Sequence, residues 1–217
     1  PPYRLVNPIT ADHEYLRPTL RANLLMTLAS NLRYQKGEVA IFETARTYER
    51  PDGRLPQSGR PFGEEVLPVE REVVCGIVSG RRADRWGRPG DESVDFFDAK
   101  AYVEDLMRGL GVEAQYAPVH EFGLAPGRTA EMRVGETRVG VVGQVHPDVA
   151  AAFEVEQDAF LFEIVLDDLL PLAGAQRKAA SVSRFPAVEQ DLALIVDADT
   201  PAGALRRVIE AGALVRD

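Results

Sequence analysis

The sequence predicts an α+β domain built on an antiparallel sheet, and three observations carry that reading. Strand-like and helix-like runs alternate without the regular strand–helix repeat of a doubly wound fold. The runs 39–48 and 72–79 are rich in β-branched and aromatic residues and suit a hairpin pair. Residues 130–145 read as a second hairpin around Gly135-Glu136. The chain has 217 residues with 45% hydrophobic and 27% charged side chains, enough for one large or two small domains and too apolar for disorder. Every apolar run is broken well short of the ~18 residues that span a bilayer. A net charge of −9 argues against a strong phosphate-binding surface as the main role.

In order, Tyr3 to Val6 reads as a short strand ended by Asn7-Pro8. Thr19 offers an N-cap hydroxyl to a helix whose leucines, Leu20, Leu24, Leu25, Leu28 and Leu32, recur at helical spacing until Gly37. Five leucines exceed what one packed face requires, so part of the stripe is a candidate subunit interface, with a wholly internal core helix as the alternative. The strand 39–48 runs into Pro51-Asp52-Gly53, and the connection to the next strand holds Pro56, Gly59, Pro61, Gly63 and Pro68, a long link for a hairpin. Residues 81–92 form a second loop. Asp95 caps the next helix with Asp98 three positions on; Phe96, Val103, Leu106, Met107 and Leu110 make its apolar face and Gly111 ends it. Val112, Ala114 and Tyr116 alternate as a strand. In the second hairpin Ala130, Met132 and Val134 point inward. His146-Pro147-Asp148 opens a helix, and Phe160 to Val165 is a strand, with Asp167 capping a Leu169-Leu170 turn. The polar stretch 177–181 marks a domain boundary, giving domains 1–180 and 181–217. Beyond it, Leu192 to Val196 reads as a buried strand and Thr200-Pro201 starts a helix with Leu205, Val208 and Ile209 inside. A strand and a helix do not complete a domain. With Pro1 in place of Met and no signal-peptide pattern, the sequence reads as a piece of a longer chain.

The chemistry-bearing residues are sparse. Cys75, the sole cysteine, sits in Val73-Val74-Cys75-Gly76-Ile77 and reads as core filler in a reducing, cytoplasmic protein. His13, His120 and His146 lack metal-ligand spacing, and His146 suits a hydrogen bond to its own turn. The lysines Lys36, Lys100 and Lys178 lack a phosphate-loop context, and Gly140-Val141-Val142-Gly143 lies inside an apolar strand, where glycines mark close packing. Gly76-Ile77-Val78-Ser79-Gly80 places its serine one position too late for a nucleophile elbow. Asp91, Glu92, Asp95 and Asp98 cluster, and helix capping explains them better than a cation site. Arg81, Arg82, Arg85 and Arg88 with Trp86 put cations and an aromatic plane in one loop, a candidate RNA-facing element diluted by Asp84, Asp91 and Glu92, with a solvated loop as the alternative.

Taken together, Asn7-Pro8-Ile9, Leu16 to Leu20, Ile41-Phe42-Glu43, Val94 to Lys100, Pro126 to Glu131, Gly140 to Pro147, Phe162-Glu163-Ile164, Ser183 to Val188 and Asp191 to Leu194 resemble the beta chain of bacterial phenylalanyl-tRNA synthetase, in that family's order. The resemblance implies a class II synthetase-like core up to residue 180 that lacks catalysis and packs on the catalytic alpha chain. It implies that residues 181–217 begin a ferredoxin-like anticodon-binding domain. It also implies ATP and magnesium for the holoenzyme, with no cofactor site in this piece, and tRNA as a partner. A working class II site clamps the ATP phosphate with strand arginines because adenylation builds negative charge on phosphorus. Here Glu43 lacks the preceding arginine, and Gln144 stands where the second would be. The sequence departs from the family's usual pattern at Pro18, Ala125 and Glu189-Gln190. Two other readings stay open: a tRNA-binding module, and a fragment that activates an amino acid with ATP on its own.

Overall fold

The structure, a computed structural model, describes residues 2–10, 14–34, 37–49, 67–82, 92–174 and 188–212. It divides into two compact units, Pro1–Arg177 and Lys178–Asp217. Unit 1 is a six-stranded sheet in which every neighbouring pair is antiparallel. Its strands are β1 (Val39–Glu49), β2 (Val69–Ser79), β3 (Gln115–Pro118), β4 (Leu124–Val134), β5 (Thr137–Val145) and β6 (Ala159–Val165). They lie in the order β1-β2-β6-β5-β4-β3. The last strand is therefore inserted between the first hairpin and the β3-β4-β5 meander, and it joins the two halves into one sheet.

Period-two alternation gives each strand two faces, and helices cover both. On one face α1 (Arg21–Leu32) and α3 (Pro147–Ala152) pack over Val73, Cys75, Ile77, Val141 and Leu161. On the other, α2 (Phe96–Leu110) and the short α4 (Leu166–Leu169) cover Val74, Val78, Val142, Phe160 and Ile164. Gly140 and Gly143 are close-packing positions, as read from the sequence. A Cβ at Gly140 would lie 2.3 Å from the Glu163 carbonyl oxygen, and one at Gly143 would lie 2.8 Å from Thr129 Oγ1.

Several local expectations need correction. The run 3–6 forms only a bridge, Arg4 with Tyr15, rather than a strand. The strand expected at 112–116 runs from Gln115 to Pro118, because only residues 115–118 find partners on β4. Asp167 does not cap a turn; its carboxylate accepts from the Glu72 N–H at 2.8 Å. In unit 2 the run 192–196 is neither strand nor buried: Leu192 is 65% and Ile195 fully exposed, since no described segment pairs with it. The helix α5 (Ala202–Glu210) is present, but Val208 and Ile209 are exposed rather than inside. The boundary stretch 177–181 and the connection 51–66 lie outside the described residues.

Candidate functional site

Polar chemistry concentrates where α1 meets the sheet. Strand alternation turns Glu163 of β6 toward the apolar α1 face, among Leu161 and Val165, and its side chain is 13% exposed. A carboxylate so placed needs partners, since an unpaired buried charge is strongly unfavourable. Thr19 Oγ1 donates to Glu163 Oε1 at 2.5 Å, the Leu20 N–H donates to the same oxygen at 3.2 Å, and Arg21 Nε donates to Oε2 at 2.7 Å. Arg21 also reaches Glu121 at 3.1 Å and the Phe122 carbonyl at 3.1 Å, and Arg138 closes on the other Glu121 oxygen at 2.9 Å. At the sheet edge Arg17 pairs with Glu43 at 2.7 Å and donates to the Arg46 carbonyl at 3.2 Å. Three arginines and three glutamates thus neutralise one another. Beside them Cys75 is fully buried, and burial, reinforced by the nearby Glu163 carboxylate, pushes its thiol well above its ordinary pKa. A thiol held protonated in the core is a poor nucleophile.

Gln144 is likewise occupied. It is 4% exposed, accepts from Arg128 at 2.7 Å and donates to Asp158 Oδ1 at 2.8 Å. Neither Glu43 nor Gln144 presents a cation, so the arrangement has no guanidinium aimed from these positions at an incoming phosphate. His146 behaves as its sequence context suggests: its Nδ1 accepts from the Asp148 N–H at 3.2 Å and caps α3.

The opposite face carries an apolar cavity of about 350 Å³ between β1, β2, β6 and α2, lined by Ala40, Phe42, Tyr102, Leu106, Phe160 and Phe162 among others. Gly76, one of its lining residues, has no side chain, and the Phe162 ring lies over it, 2.4 Å from where a Cβ would sit. Phe42, on the outermost strand, is 74% exposed at its rim. Its lining can hold apolar side chains and offers no charge to a phosphate.

The residues singled out from the sequence divide into two groups. Leu20, Leu24, Leu25 and Leu28 are 0–4% exposed in this chain's own core, and Leu32 packs against the same cluster. The stripe offered to a partner is thus spent on the sheet, because α1 lies flat on β1 and β2; Met26, at 55% exposed, is what the helix shows outward. In the arginine loop, Arg82 is not available to RNA: its guanidinium is tied to Asp98 at 2.7 Å and Glu92 at 2.8 Å, which raises its pKa further. Arg81 forms a backbone bridge with Ser93. Arg85, Trp86 and Arg88 lie outside the described residues. Asp95 and Asp98 form the expected capping box on α2. Sequence reasoning missed the Thr19–Arg21–Glu163 set. Its signal was a lone glutamate at an inward position of Ala159–Val165, a strand with no other charged residue.

Six antiparallel strands flanked by helices on both faces define an α+β sheet module. The chain belongs to the phenylalanyl tRNA synthetase beta chain family: residues 1–166 match the model of that family's CLM domain. Among curated relatives, the phenylalanine–tRNA ligase beta subunit of Dehalococcoides mccartyi strain 195 is 37% identical over 191 residues, covering 88% of this chain and 22% of the relative. The beta subunit of Methylococcus capsulatus is 36% identical over 223 residues, covering 100% of this chain and 26% of the relative. That of Syntrophotalea carbinolica is 31% identical over 220 residues, again covering 100% and 26%. The chain therefore spans about a quarter of the length of these relatives.

Proposed function

We propose that residues 1–180 are the class II synthetase-like, non-catalytic core of a phenylalanine–tRNA ligase beta subunit, which supports assembly with the catalytic alpha chain and so aminoacylation of tRNA(Phe) by the holoenzyme. The observation that carries this reading is the fate of the two positions where a phosphate clamp needs arginine. Two residues before Glu43 stands Ile41, packed against the α1-face core, and Gln144 is held between Arg128 and Asp158. Adenylation builds charge on phosphorus that must be met by preorganised cations, and an alkyl side chain and an amide do not meet it. ATP and magnesium then act in the holoenzyme, in the cytoplasm, with tRNA as the other partner. In the same reading residues 181–217 begin a ferredoxin-like anticodon-binding domain. An unpaired run such as 192–196 is what one isolated strand of such a sheet looks like, as its exposure is compatible with partners supplied from elsewhere in the longer protein.

Two measurements test the reading. Isothermal titration of the 217-residue chain with ATP and phenylalanine is expected to give no heat at millimolar ligand; saturable heat together with pyrophosphate exchange would overturn the non-catalytic assignment. Mixing the beta subunit with a cognate alpha chain and weighing the product by light scattering is expected to show a complex, and two unmixed species would overturn the assembly role.

A further inference from the structure

We propose that the segment ending at Arg17 is a strap that guards the outer edge of β1 and keeps the sheet from adding a strand of another chain. β1 is the terminal strand of the sheet and has 11 residues, so a long row of backbone donors and acceptors faces outward along it. Those groups belong to the even-numbered residues, as two contacts fix. The Tyr48 N–H donates outward to the Arg17 carbonyl at 2.9 Å, and Arg17 Nε donates to the Arg46 carbonyl at 3.2 Å. The same guanidinium donates through Nη1 to Glu43 at 2.7 Å. Arg17 thus closes the stretch from Arg46 to Tyr48 with both its main chain and its side chain. Pro18 follows it directly, and a proline has no N–H with which to prolong a ladder.

The strap is pinned on both sides of that contact. Before it, the Leu5 N–H donates to the Glu14 carbonyl at 2.7 Å, the Leu16 N–H donates to the Tyr3 carbonyl at 2.8 Å, and Arg4 Nε donates to the Glu14 carboxylate at 3.0 Å. After it, the Thr19 hydroxyl and the Leu20 N–H are both fixed on Glu163. Arg17 is therefore held against the edge by anchors outside β1, and little further ordering is needed to keep it there. The same period places the N–H and C=O of Ala40, Phe42 and Thr44 on the edge, and none of them has a backbone partner among the described residues. With the strap in place the open run ends at Thr44; without it the run would continue from Ala40 through Arg46 to Tyr48, a longer template for strand addition. A short free length and a cation beside it are what blunt an edge strand, and Arg17 supplies both.

Sedimentation velocity of the 217-residue chain over a dilution series tests this. The wild-type chain is expected to keep a mass of 23.8 kDa. Arg17→Ala removes the bonds to the Arg46 carbonyl and to Glu43, and it should associate with a dissociation constant at least about tenfold below that of the wild type. Adding Thr44→Pro deletes an outward N–H in the middle of the lengthened edge, where proline is tolerated, and should return the mass to 23.8 kDa. That rescue separates edge pairing from association of unfolded chains, because the proline restores none of the lost Arg17 contacts. Amide hydrogen exchange gives an independent reading: in Arg17→Ala the Phe42 and Thr44 N–H groups should become protected as concentration rises, and this decides alone if the double variant does not fold. Arg17→Ala that stays as monomeric as the wild type overturns the proposal. So does association that leaves the Phe42 and Thr44 amides exchanging at the wild-type rate, or a wild-type chain that already pairs through them.

Discussion

The two long helices of unit 1 are fastened in opposite ways. α2 carries its own instructions. Asp95 accepts from the Phe97 and Asp98 N–H groups, Asp98 returns the bond to the Asp95 N–H, and Gly111 in the left-handed region closes the other end. α1 has no such local cap. Its N-cap residue is Leu20, whose side chain cannot accept a hydrogen bond, and the Leu20 N–H is held by Glu163 from 143 residues away. Thr19, expected to be the cap, sits one position earlier: its hydroxyl accepts from the Arg21 N–H at 3.2 Å and donates a hydrogen bond to Glu163. Inside α1, Thr27 and Asn31 spend their side chains on backbone carbonyls one turn back, a use that slightly disfavours the helix. One helix is specified locally and then docked; the other is specified by being docked.

Removing the docking of α1 should therefore have the largest effect. Leu28 is fully buried between α1 and the sheet, and Leu28→Ala is expected to cost about 4 kcal/mol through lost burial and the cavity left behind. Urea denaturation of the 217-residue chain measures it. A loss under about 1 kcal/mol would mean that the helix is not held by its leucines. Glu163→Gln comes next, at about 3 kcal/mol, since Arg21 keeps Glu121 but loses its closest carboxylate in a largely buried setting. The matching change on α2, Asp95→Ala, should cost only about 1 kcal/mol, as a helix cap does. If Asp95→Ala proved as costly as Glu163→Gln, the contrast between the helices would fail.

This difference also explains what was legible in the sequence. The α2 cap, its apolar face and its terminal glycine are contiguous in the chain, and all were read correctly. The β1–β2 and β4–β5 pairings were legible because both are hairpins whose partners follow one another along the chain. The insertion of β6 between β2 and β5 was not, because strand order is set by which apolar faces meet in space. The site suffered most. Glu163, Arg21, Glu121 and Arg138 come from four separate segments, so no spacing motif joins them. The leucine stripe was correctly placed on a helix, yet amphipathic periodicity reports that a face is covered without naming the cover, and here the cover is the chain's own sheet. The 192–196 run shows the converse: an apolar strand pattern without a pairing partner remains exposed.

The smallest effect is also the most local test of how α1 is held. Cys75 lies under α1 on β2, in register with Glu43 of β1 and Glu163 of β6, and it is fully buried. Burial first, and the Glu163 charge second, raise its thiol above the unfolded value of about 8.5, so the folded chain keeps a proton that the unfolded chain releases. By linkage, this group's contribution is fully present below about pH 8.5 and is lost as pH rises beyond it, so stability should decline on the alkaline side. Labelling by a thiol reagent should be very slow in the native chain and should follow opening of α1 from the sheet rather than simple thiolate formation. Glu163→Gln should then speed labelling well beyond wild type, whereas Asp95→Ala, on the other face, should leave it nearly unchanged at denaturant concentrations where global unfolding is negligible. Equal acceleration by both variants would show that Cys75 is reached only by unfolding of the whole unit, and that α1 and α2 open together despite being fastened differently.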